Sequence, residues 1–287
     1  MKEKKIPQLN RFAVFIFCWG RPHFDNTYQA LRKHGYTGRI VLICDDLDET
    51  RYEYIEKYGA ENVYIFNKRW ASKHSDPMNN FGKYESTLYV ENSMFEIARD
   101  LKLESFCAMC DDYNSFCHKQ AESEIQTKSL DEVFSYFLEY LMNSPIKCLA
   151  FSQGGDHIGG YDPYRRTSKR KVMNSFICLT ERPFSFYGSM NDDTNMYVRN
   201  GVKGDIFLTV YCMMLHQPET QNTKGGLTDL YTSFGTFVKS FYTVILCPSA
   251  VKIALMGHSA PRLHHKINYK KAFPCIIRES FKKYMDL

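Results

Sequence analysis

The sequence predicts an α/β fold: a Rossmann-type, mostly parallel sheet with helices on both faces. Three observations lead there. Strand and helix signals alternate through the first 116 residues. The strand signals are continuous apolar runs, as strands buried on both faces require. Two of the helical stretches between them close on glycine, which accepts the left-handed backbone that follows a helix.

The first strand is "FAVFIFC" (12–18), ended by "WGRP". "NTYQALRKHG" (26–35) reads as a helix with Asn26 near its start and Gly35 beyond its end. "RIVLIC" (39–44) is a second buried strand and runs into Asp45 and Asp46. "DETRYEYIEKYG" (48–59) repeats the helix-then-glycine pattern, and residues 62–66 form a third strand. "ENSMFEIARDLKL" (91–103) places apolar residues at 94, 95, 97, 98 and 101, a helical stripe. "SFCAMC" (105–110) is the fourth strand and leads straight into Asp111 and Asp112.

The second half is less regular. Helices are expected over 129–142, 190–201 and 227–246, strands over 147–152, 174–179 and 249–256, and a strand or buried helix over 205–215. The stretch 153–171 combines four glycines with a basic run, which is loop chemistry. No repeat or low-complexity linker divides the chain, so one domain over 1–287 is expected.

Composition is that of a soluble protein, 44% apolar and 24% charged, and no apolar run approaches the ~20 residues of a membrane span. The start, "MKEKKIPQLNRF", lacks the apolar stretch of a secretory signal, so the reading is cytoplasmic. The ten cysteines are scattered through strands and helices, unlike a secreted disulfide scaffold. Cys107, Cys110, Cys117 and His118 invite a zinc reading. The odd spacing of Cys107 and Cys110 on one strand points them to opposite faces, and buried thiols are the simpler reading. The net charge of +5 is mild, but "YRRTSKRK" (164–171) holds five basic residues and no acid. That run is either solvated surface or a polyanion contact.

Polar clusters sit at three strand ends: Arg21 with Asn26 and Thr27, Asp45 with Asp46, and Asp111 with Asp112. Ligands of parallel α/β sheets bind outside those carboxyl ends. Adjacent carboxylates repel unless a cation sits between them, and a divalent metal is the usual resolution. Turn chemistry is the other reading of Asp111-Asp112, and helix capping the other reading of Asp45-Asp46 and of Asp192-Asp193.

Several motifs then occur in a fixed order: Arg21-Pro22, "GYTGRIVLICDD" (35–46), "CDDY" (110–113), "SMNDDTN" (189–195), "GGLTDLYTSFGTFVKSF" (225–241) and "GHSAPRLHHKI" (257–267). The set resembles GT-A glycosyltransferases and, more narrowly, the phage DNA-base glycosyltransferases associated with TET/JBP oxygenases. The resemblance spans nearly the whole chain. It implies a GT-A-like domain in which 1–116 binds a nucleotide sugar and 117–287 completes the acceptor and catalytic side.

The resemblance also implies roles. The donor is a UDP-sugar, bound with Mn²⁺ or Mg²⁺. Asp112 is the first metal ligand, with His258 and His265 (or His264) completing the shell and Asp111 beside the diphosphate. Arg21 contacts uracil or phosphate, Asp45 and Asp46 hold uracil and ribose, and Lys83 faces the diphosphate. Asp193 is the general base, with Asp192 next to it. The acceptor is the hydroxyl of a 5-hydroxymethylpyrimidine in double-stranded phage DNA, inside an infected bacterial host. Arg165, Arg166, Lys169, Arg170 and Lys171 then neutralise DNA phosphates. One position departs from the pattern: Cys110 stands where the family has an acid. Two alternatives follow, a degenerate DNA- or nucleotide-sugar-binding protein of this fold, or a glycosyltransferase with a non-DNA acceptor.

Overall fold

A computed structural model describes residues 9–79, 84, 86–120, 123–157, 175–217, 238–256 and 262–273. Its first half follows the expected alternation: strand β1 (Phe12–Phe17), helix α1 (Asn26–Lys33), β2 (Arg39–Asp45), α2 (Arg51–Tyr58), β3 (Val63–Phe66), α3 (Lys68–Lys73), α4 (Leu88–Asp100) and β4 (Ser105–Cys110). A hairpin follows, β5 (Ser115–Gln120) and β6 (Ser123–Gln126), then α5 (Leu130–Met142), β7 (Ile146–Ser152), β8 (Ser175–Leu179), α6 (Asp192–Gly201) and β9 (Ile206–His216). The described chain closes with α7 (Val238–Leu246), β10 (Val251–Met256), β11 (Arg262–Ile267) and α8 (Tyr269–Ala272).

One nine-stranded sheet runs in the order β3-β2-β1-β4-β8-β7-β9-β5-β6. β1 pairs in parallel with β2 and β4, and the register sets Phe17 level with Ile43 on one side and Cys110 on the other. From β1 the chain moves outward to β2 and β3, then crosses back to β4 on the opposite side. Such a reversal is where parallel α/β sheets bind ligands, in the crevice expected outside the carboxyl ends of β1 and β4. The sheet becomes mixed beyond β4: β8 is antiparallel to both β4 and β7, and β7 pairs in parallel with β9.

Every residue of β1 is buried, because both faces of the sheet are covered. Ala13, Phe15 and Phe17 pack with α4 and α6 through residues such as Phe95 and Tyr197. Phe12, Val14 and Ile16 pack with α1 and α5 through Leu31, Phe134 and Leu138. Phe15 stacks on Phe106 of β4 at 5.0 Å, which locks the two strands that frame the crevice.

The ends of α1 and α5 are tied together. Gly35 has φ +77, and a Cβ there would lie 2.3 Å from the Lys128 carbonyl oxygen, so only glycine fits. The His34 carbonyl accepts from Leu130 N–H at 2.9 Å. Ser129 caps α5 by accepting from Glu132 N–H, the two residues spaced as in a capping box.

The stretch 205–215, open between strand and helix in the sequence, is strand β9. Of the helix expected over 227–246, residues 238–246 are α7 and the rest lie outside the described residues. The β5–β6 hairpin, α3 and β11 were not expected from the sequence. Among the described residues, no helix is long and apolar enough to cross a membrane.

Candidate functional site

The loop after β1 and the loop after β4 meet at the crevice. The turn before helix α2 and the helix itself anchor the first: Gly20 N–H donates to Asp48 Oδ2 and Arg21 N–H to the Tyr54 hydroxyl, each at 3.0 Å. Helix α1 anchors the second. Thr27 donates its hydroxyl to the Cys110 carbonyl at 2.7 Å and accepts from Tyr113 N–H at 2.8 Å. So fixed, the Arg21 guanidinium donates to Asp111 Oδ1 at 2.6 Å. Burial pushes the Asp111 carboxyl up to about 6; Arg21 opposes the rise and Asp112 adds to it. Burial raises Asp112 as well, again against Arg21.

At the end of β2, Asp45 lies in a buried ion pair with Lys68 at 2.8 Å, and the Lys68 ammonium sits 3.9 Å from the Trp19 ring centroid. Burial raises the Asp45 carboxyl, with Lys68 opposing. Asp46 is half-buried and accepts from Lys68 N–H at 2.9 Å. Helix α2 begins at Arg51, behind an Asp48 carboxylate that accepts from Thr50 N–H at 2.8 Å. Thr50 is the N-cap of α2 and no side chain caps that helix, so neither Asp45 nor Asp46 serves as its cap.

A second acidic group faces the first. Asn191 takes a left-handed backbone (φ 62), which asparagine tolerates better than most residues, and starts α6 with Asp192 and Asp193 buried. Thr87 at the N-cap of α4 donates to Asp192 Oδ2 at 2.5 Å. Glu91, one turn along the same face of α4, is buried and hydrogen-bonded to Asp192. Burial lifts Glu91 well above the usual carboxylate range, and Asp192 and Asp193 push the same way, so Glu91 is the protonated partner and donates. Burial also pushes Asp192 up to about 6, with Asp193 adding and the bonds from Thr87 and Glu91 opposing. The Cys110 thiol feels both groups: burial raises it first, then Asp112, Asp111, Glu91 and Asp192.

The hairpin β10–β11 brings His265 to this group, its Nδ1 3.2 Å from the side-chain nitrogen of Asn191, with His264 edge-on to it at 4.2 Å. The structure thus brings Arg21, Asp111 and Asp112 together at the end of β4, with Asp192 close enough to act on the same Cys110 thiol, Asp193 beside Asp192, and His265 against Asn191; Asp45 and Asp46 lie at the neighbouring strand end. Lys83, His258, Arg165, Arg166, Lys169, Arg170 and Lys171 lie outside the described residues.

Among the described residues, Asp111 Oδ2 and Asp112 Oδ1 are buried without a hydrogen-bond partner. Unpaired buried carboxylate oxygens are costly, and a hard divalent cation takes oxygen ligands of this kind. Two carboxylate oxygens of this kind suit Mg²⁺ or Mn²⁺, and among the described residues no third His, Cys, Asp or Glu joins them in a group of ligand atoms within 4.8 Å of one another. Cys110 stays a neutral thiol and offers such a metal nothing.

A family model described as TET-Associated Glycosyltransferase matches residues 12–226. The chain belongs to that family. No curated protein sequence matches it. Among solved structures, this TET-associated glycosyltransferase is similar to glucosyl-3-phosphoglycerate synthase from Mycobacterium tuberculosis in complex with Mn²⁺, UDP and phosphoglyceric acid, at 8% identity and TM-score 0.44 over 90% of this chain and 87% of that one. It is also similar to the mannosyltransferase PcManGT from Pyrobaculum calidifontis in complex with GDP-Man and Mn²⁺ (9%, TM-score 0.45, 82% and 73%). A third is S. aureus TarS 1-349 in complex with UDP (9%, TM-score 0.44, 82% and 65%).

Three site residues escaped the sequence reading: Lys68, Glu91 and Thr87. Glu91 carried a signal, since it shares the stripe of Met94, Phe95 and Ala98 at helical spacing. An acid in line with a buried stripe is a buried acid. Lys68 carried none, because its partner Asp45 is set by strand pairing.

Proposed function

We propose that this glycosyltransferase moves a sugar from a UDP-sugar to the hydroxyl of a 5-hydroxymethylpyrimidine in double-stranded DNA. The observation that carries the donor half is the crevice between β1 and β4, where Arg21 faces Asp111 and buried oxygens of Asp111 and Asp112 lack partners among the described residues. Asp112 and Asp111 would hold a divalent cation, with His265 as a further ligand, and that cation would supply positive charge to the departing diphosphate. Arg21 presents a second cation at the same mouth. Asp46 and Asp45, one strand away, would hold uracil and ribose, and Lys68 pairs with Asp45. Residues 1–116 form the donor side and 117–287 the acceptor side.

Asp193 takes the proton of the acceptor hydroxyl, and Asp192 keeps it oriented from the first turn of α6. The DNA acceptor rests on the TET-associated family and on the basic segment 164–171, where Arg165, Arg166, Lys169, Arg170 and Lys171 neutralise phosphates.

The test is transfer from a panel of UDP-sugars to duplexes with and without 5-hydroxymethylcytosine or 5-hydroxymethyluracil, read by nucleoside mass spectrometry. A hexose-sized mass gain only on the hydroxymethyl base, reduced at least ~100-fold by Asp193→Asn, supports the reading. Donor turnover with hydroxymethylated DNA left unchanged refutes the acceptor.

A further inference from the structure

The outer edge of the sheet carries a second cluster of metal-ligating side chains, remote in chemistry from the acidic crevice. Cys117 on β5, Glu124 on β6 and His216 at the end of β9 offer one ligand atom each, all within 4.8 Å of one another. The Cys117 sulfur lies 3.6 Å from His216 Nε2 and 3.9 Å from Glu124 Oε2, and those two atoms are 2.9 Å apart. A tetrahedral zinc ion, with bonds of ~2.3 Å to sulfur and ~2.0 Å to nitrogen and oxygen, has ligand-to-ligand edges of about 3.3–3.6 Å. The three atoms already stand close to that spacing.

We propose that Cys117, Glu124 and His216 form a zinc site that pins the β5–β6 hairpin to the end of β9. The donor set selects the metal: one sulfur, one imidazole nitrogen and one carboxylate suit Zn²⁺ and not Mg²⁺ or Mn²⁺, which take oxygen. The strands fix the geometry. Antiparallel pairing sets Lys119 opposite Glu124 and Ser115 opposite His216. Lys119 Nζ donates to Glu124 Oε1 at 3.1 Å, which turns Oε2 toward His216 and Cys117, as an outer partner orients a ligating carboxylate. Binding releases the Cys117 thiol proton to solvent, and a water completes the coordination sphere.

The site is also mechanically connected. The His216 carbonyl accepts from Asn114 N–H at 2.8 Å, two residues beyond Asp112. A metal that fixes His216 therefore stiffens the loop that carries the acidic pair. The zinc grouping suggested by Cys107, Cys110, Cys117 and His118 is replaced by one that shares only Cys117. Cys107 is buried between β4 neighbours, and His118, next to Cys117 on β5, is in register with Ile125 rather than Glu124.

The test is a Co²⁺ titration of the full-length protein in excess Mg²⁺, which occupies the oxygen site, followed by Zn²⁺ displacement against a chromogenic chelator. One equivalent of Co²⁺ with a thiolate charge-transfer band, lost in Cys117→Ser and retained in Cys212→Ser, is expected. His216→Gln and Glu124→Gln, at partly exposed positions, should weaken Zn²⁺ at least tenfold even if Cys117→Ser fails to fold. No thiolate band, or Zn²⁺ affinity unchanged in His216→Gln, overturns the proposal. Neither result depends on the sugar donor or the acceptor.

Discussion

Arg21 and Asp111 meet at 2.6 Å across the loops that follow β1 and β4, the partly exposed guanidinium held against a buried carboxylate. This pair joins the two halves of the crevice. Arg21→Ala leaves Asp111 buried without its counter-charge and should cost about 2 kcal/mol of stability. Arg21→Lys keeps the charge but loses the planar fork, so it should fall between. Urea denaturation checks both, and an Arg21→Ala variant as stable as the parent would count against a buried Asp111 charge.

The two acidic groups give a pH dependence with a definite sign. Asp111 and Asp192 are both raised from 3.8 to about 6 by burial. An acid with a raised folded-state value contributes stability that is full below its unfolded value and lost as pH rises through its folded value. Without metal, these groups therefore lower the melting temperature between about pH 4 and about pH 6. Mn²⁺ needs ionised carboxylates, so its stabilising increment should grow across the same window and level off above it. Melting curves with and without Mn²⁺ test this; an increment independent of pH contradicts it.

Glu91 donates to Asp192 and so lowers the Asp192 value. Glu91→Gln keeps a donor and should leave the acid limb of the pH–rate profile nearly in place. Glu91→Met removes it, so Asp192 ionises less readily and the acid limb should move to higher pH. Identical profiles for the two variants would remove Glu91 from the site.

Cys110 lies in the field of Asp111, Asp112, Glu91 and Asp192. Cys110→Asp adds a carboxylate to that cluster. The metal-free protein should melt lower and the Mn²⁺ affinity should rise several-fold, as read by calorimetry. A variant that melts lower with no gain in affinity would place residue 110 outside the metal's reach.

Gly35 holds φ +77 with the Lys128 carbonyl oxygen in the space a Cβ would take. Gly35→Ala should cost more than about 1 kcal/mol, from the strained backbone and the displaced carbonyl together. Nucleotide affinity of the folded fraction should stay unchanged. A thermal shift of less than a degree would argue against the α1–α5 junction described above.

The first half of the fold was legible because its strands are buried on both faces and its helices are amphipathic, so periodicity and punctuation agree. Arg21, Asp111 and Asp112 were legible for the same reason: strand ends in a parallel sheet share one edge. Thr87 and Glu91 were hidden because their role comes from α4 facing the start of α6, a contact between residues about a hundred positions apart. The β5–β6 hairpin was hidden because its edge strand is exposed and polar, with no apolar alternation to mark it.

The most direct test of the donor site is calorimetric titration of UDP into the full-length protein with and without Mn²⁺, beside Asp112→Ala. Binding that Mn²⁺ strengthens in the parent and fails to strengthen in Asp112→Ala is the expected result. UDP binding that ignores both Mn²⁺ and Asp112, or no UDP binding under any condition, would contradict a metal–diphosphate site at the end of β4.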